Sequence, residues 1–226
     1  MAPFRALMAL DVEGFSRTSS RHQKFLNTLV KDVLAEAFAR SGLARVWEGA
    51  SFPQHTGDGY VVGVPSEYLP LLVHPLLDRL QEAVADVQPE VAYRDRSLHL
   101  RVRAAIGVGP LPDTGGAEFG DGVGTAMTET HRLLDAPSLK KALAASDPEI
   151  TFVVAGLTAR AYEDAVLGGY TPLTPRHFRE IEVSHPAKGY RASARLYVPR
   201  PSAGPVPPTA PAARRGAVVF EAVRDV

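Results

Sequence analysis

Asp11 closes the apolar run FRALMALDV (residues 4–12), and Asp58 sits in the string HTGDGY. If the strands that carry them are neighbours, both carboxylates arrive at one edge of a sheet. Converging carboxylates with no thiol nearby suit Mg2+ or Mn2+, because these hard cations take oxygen ligands. Two such ions about 3.5–4 Å apart can activate an attacking oxygen and neutralise a leaving phosphate. Each residue also has a plainer reading. Asp11 could cap a helix, and Asp58 could be a turn residue in an Asp-Gly pair.

The elements that must position these acids can be read from periodicity. Residues 4–12 form a nearly continuous apolar run, which predicts a buried central strand. Residues 20–41 carry Phe25, Leu26, Leu29, Val30, Val33, Leu34, Ala37 and Phe38 in a helical stripe, with Gly42 just past its end. Residues 44–52 and 60–64 read as two strands of a hairpin around Thr56-Gly57-Asp58-Gly59. A second helix is expected over about 67–87, with Pro70 and Pro75 in its first turns. Residues 97–109 alternate, with Leu98, Leu100 and Val102 on one face and His99, Arg101 and Arg103 on the other. After the glycine-rich stretch 115–124 come a helix to about 136, a further helical stretch to 145, and a strand at 150–155. A helix at 157–167 and strands near 178–183 and 191–198 follow. The predicted class is α+β: a ferredoxin-like βαββαβ core with an α/β extension.

The chain has 226 residues, enough for one domain with a real core; hydrophobic residues make up 45% and charged residues 22%. Lys plus Arg is 25 and Asp plus Glu is 25, so no bulk field draws it to nucleic acid or an anionic membrane. Four arginines fall between 94 and 103 with only Tyr93 as an aromatic neighbour, which reads as a solvated strand face. There is no cysteine, which excludes disulfides and thiolate chemistry and fits a cytoplasmic protein. No apolar stretch approaches the roughly 20 residues needed to span a bilayer, and the N-terminus does not read as a signal peptide. The expected organisation is a catalytic domain over 1–198, a Pro/Ala-rich linker over 199–215 and a short apolar tail over 216–226. The tail is a candidate docking segment for a protein partner.

Over residues 4–198 the sequence resembles the class III adenylyl and guanylyl cyclases. DVEGFS (11–16) resembles that family's D-I-x-G-F-T/S, and GDGY (57–60) its G-D-x-Y/F. RAAIGVG (103–109) resembles R-V-G-I-H-T-G, GTAMTETHRLLDA (124–136) resembles G-x-x-V-N-x-A-x-R-L, and AKGYRASARLYV (187–198) resembles V-K-G-x-G…T-Y-x-V. The resemblance implies two Mg2+ or Mn2+ ions held by Asp11, Asp58 and the backbone carbonyl of Val12. It implies that Glu13, Gly14, Phe15 and Ser16 wrap the phosphates with backbone N–H groups. Arg103 would contact the polyphosphate, Arg132 would steady transition-state charge, and Lys188 would reach the terminal phosphates. Taken alone, Arg132 reads as a surface helix arginine. Thr128 stands where the family has a ribose-orienting asparagine; it is shorter and offers one donor rather than two. GVG replaces the family's H-T-G.

Base choice rests on Gln54 and Asp121. By position, Gln54 falls where adenylyl cyclases carry lysine and guanylyl cyclases glutamate, and Asp121 matches the aspartate that accepts from the adenine amino group. An ionised carboxylate only accepts, so an amino group beside an unprotonated ring nitrogen fits best. ATP is favoured and CTP possible; as a plainer alternative, Asp121 is one more loop acid. The resemblance further implies a homodimer with composite sites, in which Asp11, Asp58 and Arg103 come from one protomer and Gln54, Asp121, Thr128, Arg132 and Lys188 from its partner. The reaction would be in-line attack of the 3′-hydroxyl on the α-phosphorus with loss of pyrophosphate. The alternatives are a degenerate cyclase-like domain that binds nucleotide or a protein without turnover, and a ferredoxin-like adaptor.

Overall fold

The computed structural model describes residues 2–55, 57–115, 117, 120–186 and 189–202, with the side chains of Gln54 and His55 left aside. Its elements are β1 (Phe4–Val12), α1 (Ser20–Arg40), α2 (Ala44–Glu48), β2 (Ser51–His55), β3 (Gly59–Pro65), α3 (Leu69–Leu71) and α4 (Leu77–Arg94). They continue with β4 (Val102–Pro110), α5 (Thr125–Leu134), α6 (Pro137–Ala144), β5 (Val153–Thr158), α7 (Ala159–Tyr162), β6 (Phe178–His185) and β7 (Tyr190–Tyr197). Seven strands form one sheet in the order β2-β3-β1-β4-β5-β7-β6. Only β4 and β5 pair in parallel. The first four strands with α1 and α4 make the expected βαββαβ unit, and β5, β7 and β6 extend it beyond β4.

Side-chain alternation along β1 decides what each face receives. Ala6, Met8, Leu10 and Val12 pack into the core shared with α1 and α4, while Leu7 and Ala9 face the side covered by α5 and α6. Asp11 has the parity of Leu7 and Ala9, so it emerges on the α5 face. That helix lies close to the sheet because glycines floor it. A methyl on Gly107 would press against the Thr130 hydroxyl, one on Gly109 would come 2.8 Å from Ala126 Cβ, and one on Gly156 2.9 Å from the Leu133 side chain. The GVG of β4 thus has a packing role that the sequence did not reveal.

Several boundaries differ from expectation. Residues 44–48 are helical rather than extended, because Trp47 turns back to pack on Phe38 and Tyr60, with ring centroids 5.2 and 5.5 Å away. Helix α4 runs through Pro89 to Arg94 instead of ending near 87. There Gln88 Nε2 donates to the carbonyls of Val84 (2.9 Å) and Leu100 (2.8 Å), tying the proline turn to the next segment. Strand β4 begins at Val102 rather than 97, since β1 ends opposite it at Val12. Strand β5 begins at Val153 rather than 150. The buried Gln81 carboxamide oxygen takes the N–H groups of Phe152 and Val153, both at 2.9 Å. The helix expected over 157–167 is α7 followed by a wider turn at Glu163–Leu167, after β5 has run on to Thr158.

Ordered packing continues past Val198. Thr151 Oγ1 donates to the Arg200 carbonyl (2.6 Å), and the Asp147 N–H donates to Ser202 Oγ (2.9 Å). The rest of the expected linker and the 216–226 tail lie outside the described residues. Among the described residues no helix is long and apolar enough to cross a membrane.

Overpacking a close helix–sheet contact costs about 1–3 kcal/mol. Gly107→Ala is therefore expected to lose that much, because Thr130 Oγ1 must give way while it holds the Ala126 carbonyl at 2.7 Å. The urea midpoint measures it, and an unchanged midpoint would show that α5 has room to spare.

Candidate active site

The β1 register delivers both aspartates to one end of the sheet. Asp11 lies opposite Gly59 on β3 and opposite Arg103 on β4. The Val12 N–H donates to the Asp58 carbonyl at 3.0 Å, which fixes the turn that carries Asp58 against the end of β1. Gly59 is needed at that crossing, since any β-carbon there would strike the Leu10 carbonyl. From the other side, Asn27 Nδ2 of α1 donates to the Gly57 carbonyl at 2.6 Å. The Asp58 carboxylate itself is exposed.

Asp11 is only 6% exposed. Arg103 Nε donates to its Oδ1 (2.7 Å) and Nη2 to its Oδ2 (2.5 Å), a bidentate pair with both side chains nearly out of solvent. Burial pushes the Asp11 carboxyl above its ordinary range, Arg103 pulls it back, and the nearby charges of Asp58 and Asp135 raise it further. Of the arginine-rich segment, Arg94 and Arg96 are exposed as expected, whereas Arg101 and Arg103 are not. Arg101 is 5% exposed and donates to the carbonyls of Thr151 (3.0 Å) and Leu143 (2.6 Å), and to Glu13 Oε2 (2.9 Å).

The loop after Asp11 departs from expectation at Glu13. The Glu13 N–H is not free for a phosphate, because it donates to the Arg101 carbonyl at 2.8 Å. Gly14 then turns with φ 68°, a left-handed conformation that favours glycine, into the short turn Phe15–Arg17. Phe15 packs against the α1/α4 core and Ser16 is exposed.

A second cluster lies on the same sheet face. A pocket of about 310 Å³ is lined by Phe52, Val61, Asp121, Met127, Thr128 and His131 among others. Val61 pairs with Ala9, two residues before Asp11 on β1. Asp121 Oδ1 accepts from the Thr114 N–H (2.9 Å), and its carboxylate also accepts from the Thr114 hydroxyl. The Thr128 hydroxyl donates to the Gly124 carbonyl one turn back (3.2 Å). Gln54 pairs by backbone with Val61, which puts its strand position at the pocket.

Arg132 points elsewhere. Its guanidinium stacks on the Tyr190 ring, 4.2 Å from the centroid; its Nε is buried without a hydrogen-bond partner among the described residues, and its carbonyl lies 2.9 Å from His185 Nε2. Tyr190 and His185 flank residues 186–189, and Lys188, one of these, lies outside the described residues. The structure thus brings Asp11, Val12, Asp58 and Arg103 together, and separately Asp121 with Thr128. Sequence reasoning missed Arg101, His131, Phe52 and Tyr190; the i+3 step from Thr128 to His131 was the available signal for one of them.

No protein-family model matches the sequence, and no curated protein matches it significantly. Solved structures do match. A guanylyl cyclase, Cya2, aligns over 90% of this chain and 96% of its own at 14% identity and TM-score 0.51. The adenylyl cyclase CyaB from P. aeruginosa aligns over 88% of this chain and 94% of its own at 11% identity and TM-score 0.54. The fold is that of the class III nucleotidyl cyclase catalytic domain. A bacterial light-regulated adenylyl cyclase aligns over 89% of this chain and 54% of its own, with TM-score 0.50 and 11% identity. In this cyclase-like fold the acid pair stands at the end of the central β1–β3 ladder, and the Asp121 pocket lies between the β2–β3 edge and α5.

A carboxyl raised on folding binds its proton more tightly in the native than in the unfolded state. Its contribution to stability is therefore full below the ordinary aspartate value of 3.8 and is lost as pH rises through the higher folded value. Wild type is expected to lose urea stability relative to Asp11→Asn as pH climbs from below that value towards neutrality. The opposite slope would mean that the pull of Arg103 outweighs burial.

Proposed function

We propose that this chain is a nucleotidyl cyclase that converts a nucleoside triphosphate, preferably ATP, into its 3′,5′-cyclic monophosphate and pyrophosphate in the cytoplasm. The observation that carries the reading is the placement of Asp11 between the Asp58 turn and Arg103 at one end of the central strands. The residues fit a hard divalent cation. Asp11 already faces a positive group, and the set offers only oxygen donors: two carboxylates and the Val12 carbonyl. Asp11, Asp58 and Val12 would hold Mg2+ or Mn2+, which when bound supplies charge neutralisation at the reacting phosphate. Among the described residues no group of three or more metal-ligating side chains forms, so water and phosphate oxygens would complete the coordination.

The chain's own residues would do the rest by position and charge. Arg103 would exchange Asp11 for a phosphate oxygen, and the loop around Gly14 would present N–H groups. Asp121, oriented by Thr114, would accept the amino group of the base, and Gln54 would address the adjoining ring nitrogen. Among the described residues Arg132 and Thr128 share no hydrogen bond or ion pair with Asp11 or Arg103, which favours a site completed by a second copy of the chain. A second reading, a cyclase-like domain that binds without turnover, is favoured by two observations. Arg103 occupies both Asp11 oxygens, and the Thr128 hydroxyl is turned back on its own helix.

Incubation with Mn2+ and each of the four ribonucleoside triphosphates, with products separated by mass, should yield cyclic AMP above all, with CTP the only competitor. Asp11→Asn and Arg132→Ala chains, each inactive alone, should regain part of that activity when mixed under conditions of demonstrated subunit exchange. No recovery would place the whole site within one chain. Binding without product from any nucleotide would favour the second reading.

Misfit of a base against paired polar groups costs about 1–3 kcal/mol each. Asp121→Asn should therefore narrow the kcat/KM ratio of ATP over GTP and UTP by about tenfold or more. A wild type that prefers GTP would refute the base assignment and leave the fold untouched.

A further inference from the structure

The β1–β4 register continues past the last strand residue. Asp11 lies opposite Arg103 and Val12 opposite Val102, and the Glu13 N–H then donates to the Arg101 carbonyl. The side chains repeat the pairing, for Arg101 Nη1 donates to Glu13 Oε2 at 2.9 Å. Among the described residues every other acceptor of this guanidinium is a backbone carbonyl: Thr151, Leu143 and, at 3.5 Å, Ser146. Leu143 lies in the last turn of α6 and Ser146 two residues past its end, where carbonyls carry partial negative charge. Arg101 is therefore a junction of four segments: the start of β4, the end of α6, the approach to β5, and the loop after β1. Among the described residues its one anionic contact is Glu13, and a guanidinium this deeply buried is costly to leave without one.

We infer that Arg101 is a positioning residue. Through Glu13 it holds the 13–16 loop in the shape that receives the triphosphate, without touching the nucleotide. The inference rests on the proposed reading of that loop as the phosphate site. Two bonds converge on one residue, Glu13, and the left-handed Gly14 pivots directly from it into the Phe15–Arg17 turn. With the clamp in place the loop N–H groups are ordered before ligand arrives. Without it, ordering must be met on binding, in ground and transition states alike.

Glu13 is the residue to change, since its side chain is 29% exposed and the protein should fold without it. In the full-length chain with Mn2+ and ATP, Glu13→Ala should raise KM about tenfold, the scale of one charge-assisted hydrogen bond, with kcat within about twofold. Hydrogen exchange of residues 13–18 in nucleotide-free protein should quicken. Glu13→Gln, which keeps an acceptor oxygen for Arg101, should recover most of both effects. Wild-type KM and exchange in Glu13→Ala, or a loss confined to kcat, would overturn the inference. If wild type makes no cyclic product from any triphosphate, the functional reading fails on its own. Loop exchange and ATP titration then decide, and no change in either would overturn the clamp.

Discussion

Two acids and two arginines face one another across the end of the β1–β4 ladder, Asp11 with Arg103 and Glu13 with Arg101. The antiparallel register that sets one pair sets the other, because a step of two residues returns a side chain to the same face. The buried Asp11–Arg103 pair could not be dissolved cheaply. Removing one partner from a buried ion pair leaves an uncompensated charge, at a cost of about 3–5 kcal/mol. The register of the two central strands is thereby pinned at the end where chemistry is proposed, and the turn bearing Asp58 and the loop bearing Gly14 both start from it.

The charge balance there has a direction. Burial, Asp58 and Asp135 all push the Asp11 carboxyl towards its neutral form, and Arg103 opposes them. An aspartate in such surroundings stays ionised only beside a cation. Here that cation is the Arg103 guanidinium. A divalent ion would serve the same electrostatic need, and would leave Arg103 to find another anion. The polyphosphate of the proposed substrate is such an anion, so the resting pair and the proposed loaded site answer one constraint.

Much of this was legible in the sequence, and the reasons for the remainder are physical. The apolar run of β1, the α1 stripe and the order of elements gave the βαββαβ unit, since long periodic segments carry their own signal. Asp11 and Asp58 were expected together if their strands are neighbours, as β1 and β3 are, and Arg103 was added to them by the family resemblance. Arg101 was misjudged as solvated: alternation shows which face a residue takes, and here the covering layer is α6 and the 146–151 segment. The complementary D-x-E and R-x-R strings on neighbouring antiparallel strands were the overlooked clue. Trp47 defeated the strand expected at 44–52, because a short apolar run does not distinguish one helical turn from an extended pair. The glycines of GVG meant nothing until α5 was seen to lie on them.

The departure at Thr128 weighs less once its surroundings are known. Its hydroxyl is directed to the Gly124 carbonyl in the first turn of α5, a local bond that threonine makes readily within helices. The polar character of the neighbouring pocket then comes chiefly from Asp121 and His131, set against the apolar surfaces of Phe52, Val61 and Met127. Asp121 is oriented from outside the helix by Thr114, so its direction does not depend on which residue stands at 128. An asparagine-to-threonine change would, under the proposed reading, weaken one contact to the ribose and leave the carboxylate that would read the base where it was. Under the proposed reading, turnover is therefore more exposed to Thr128 than selectivity is.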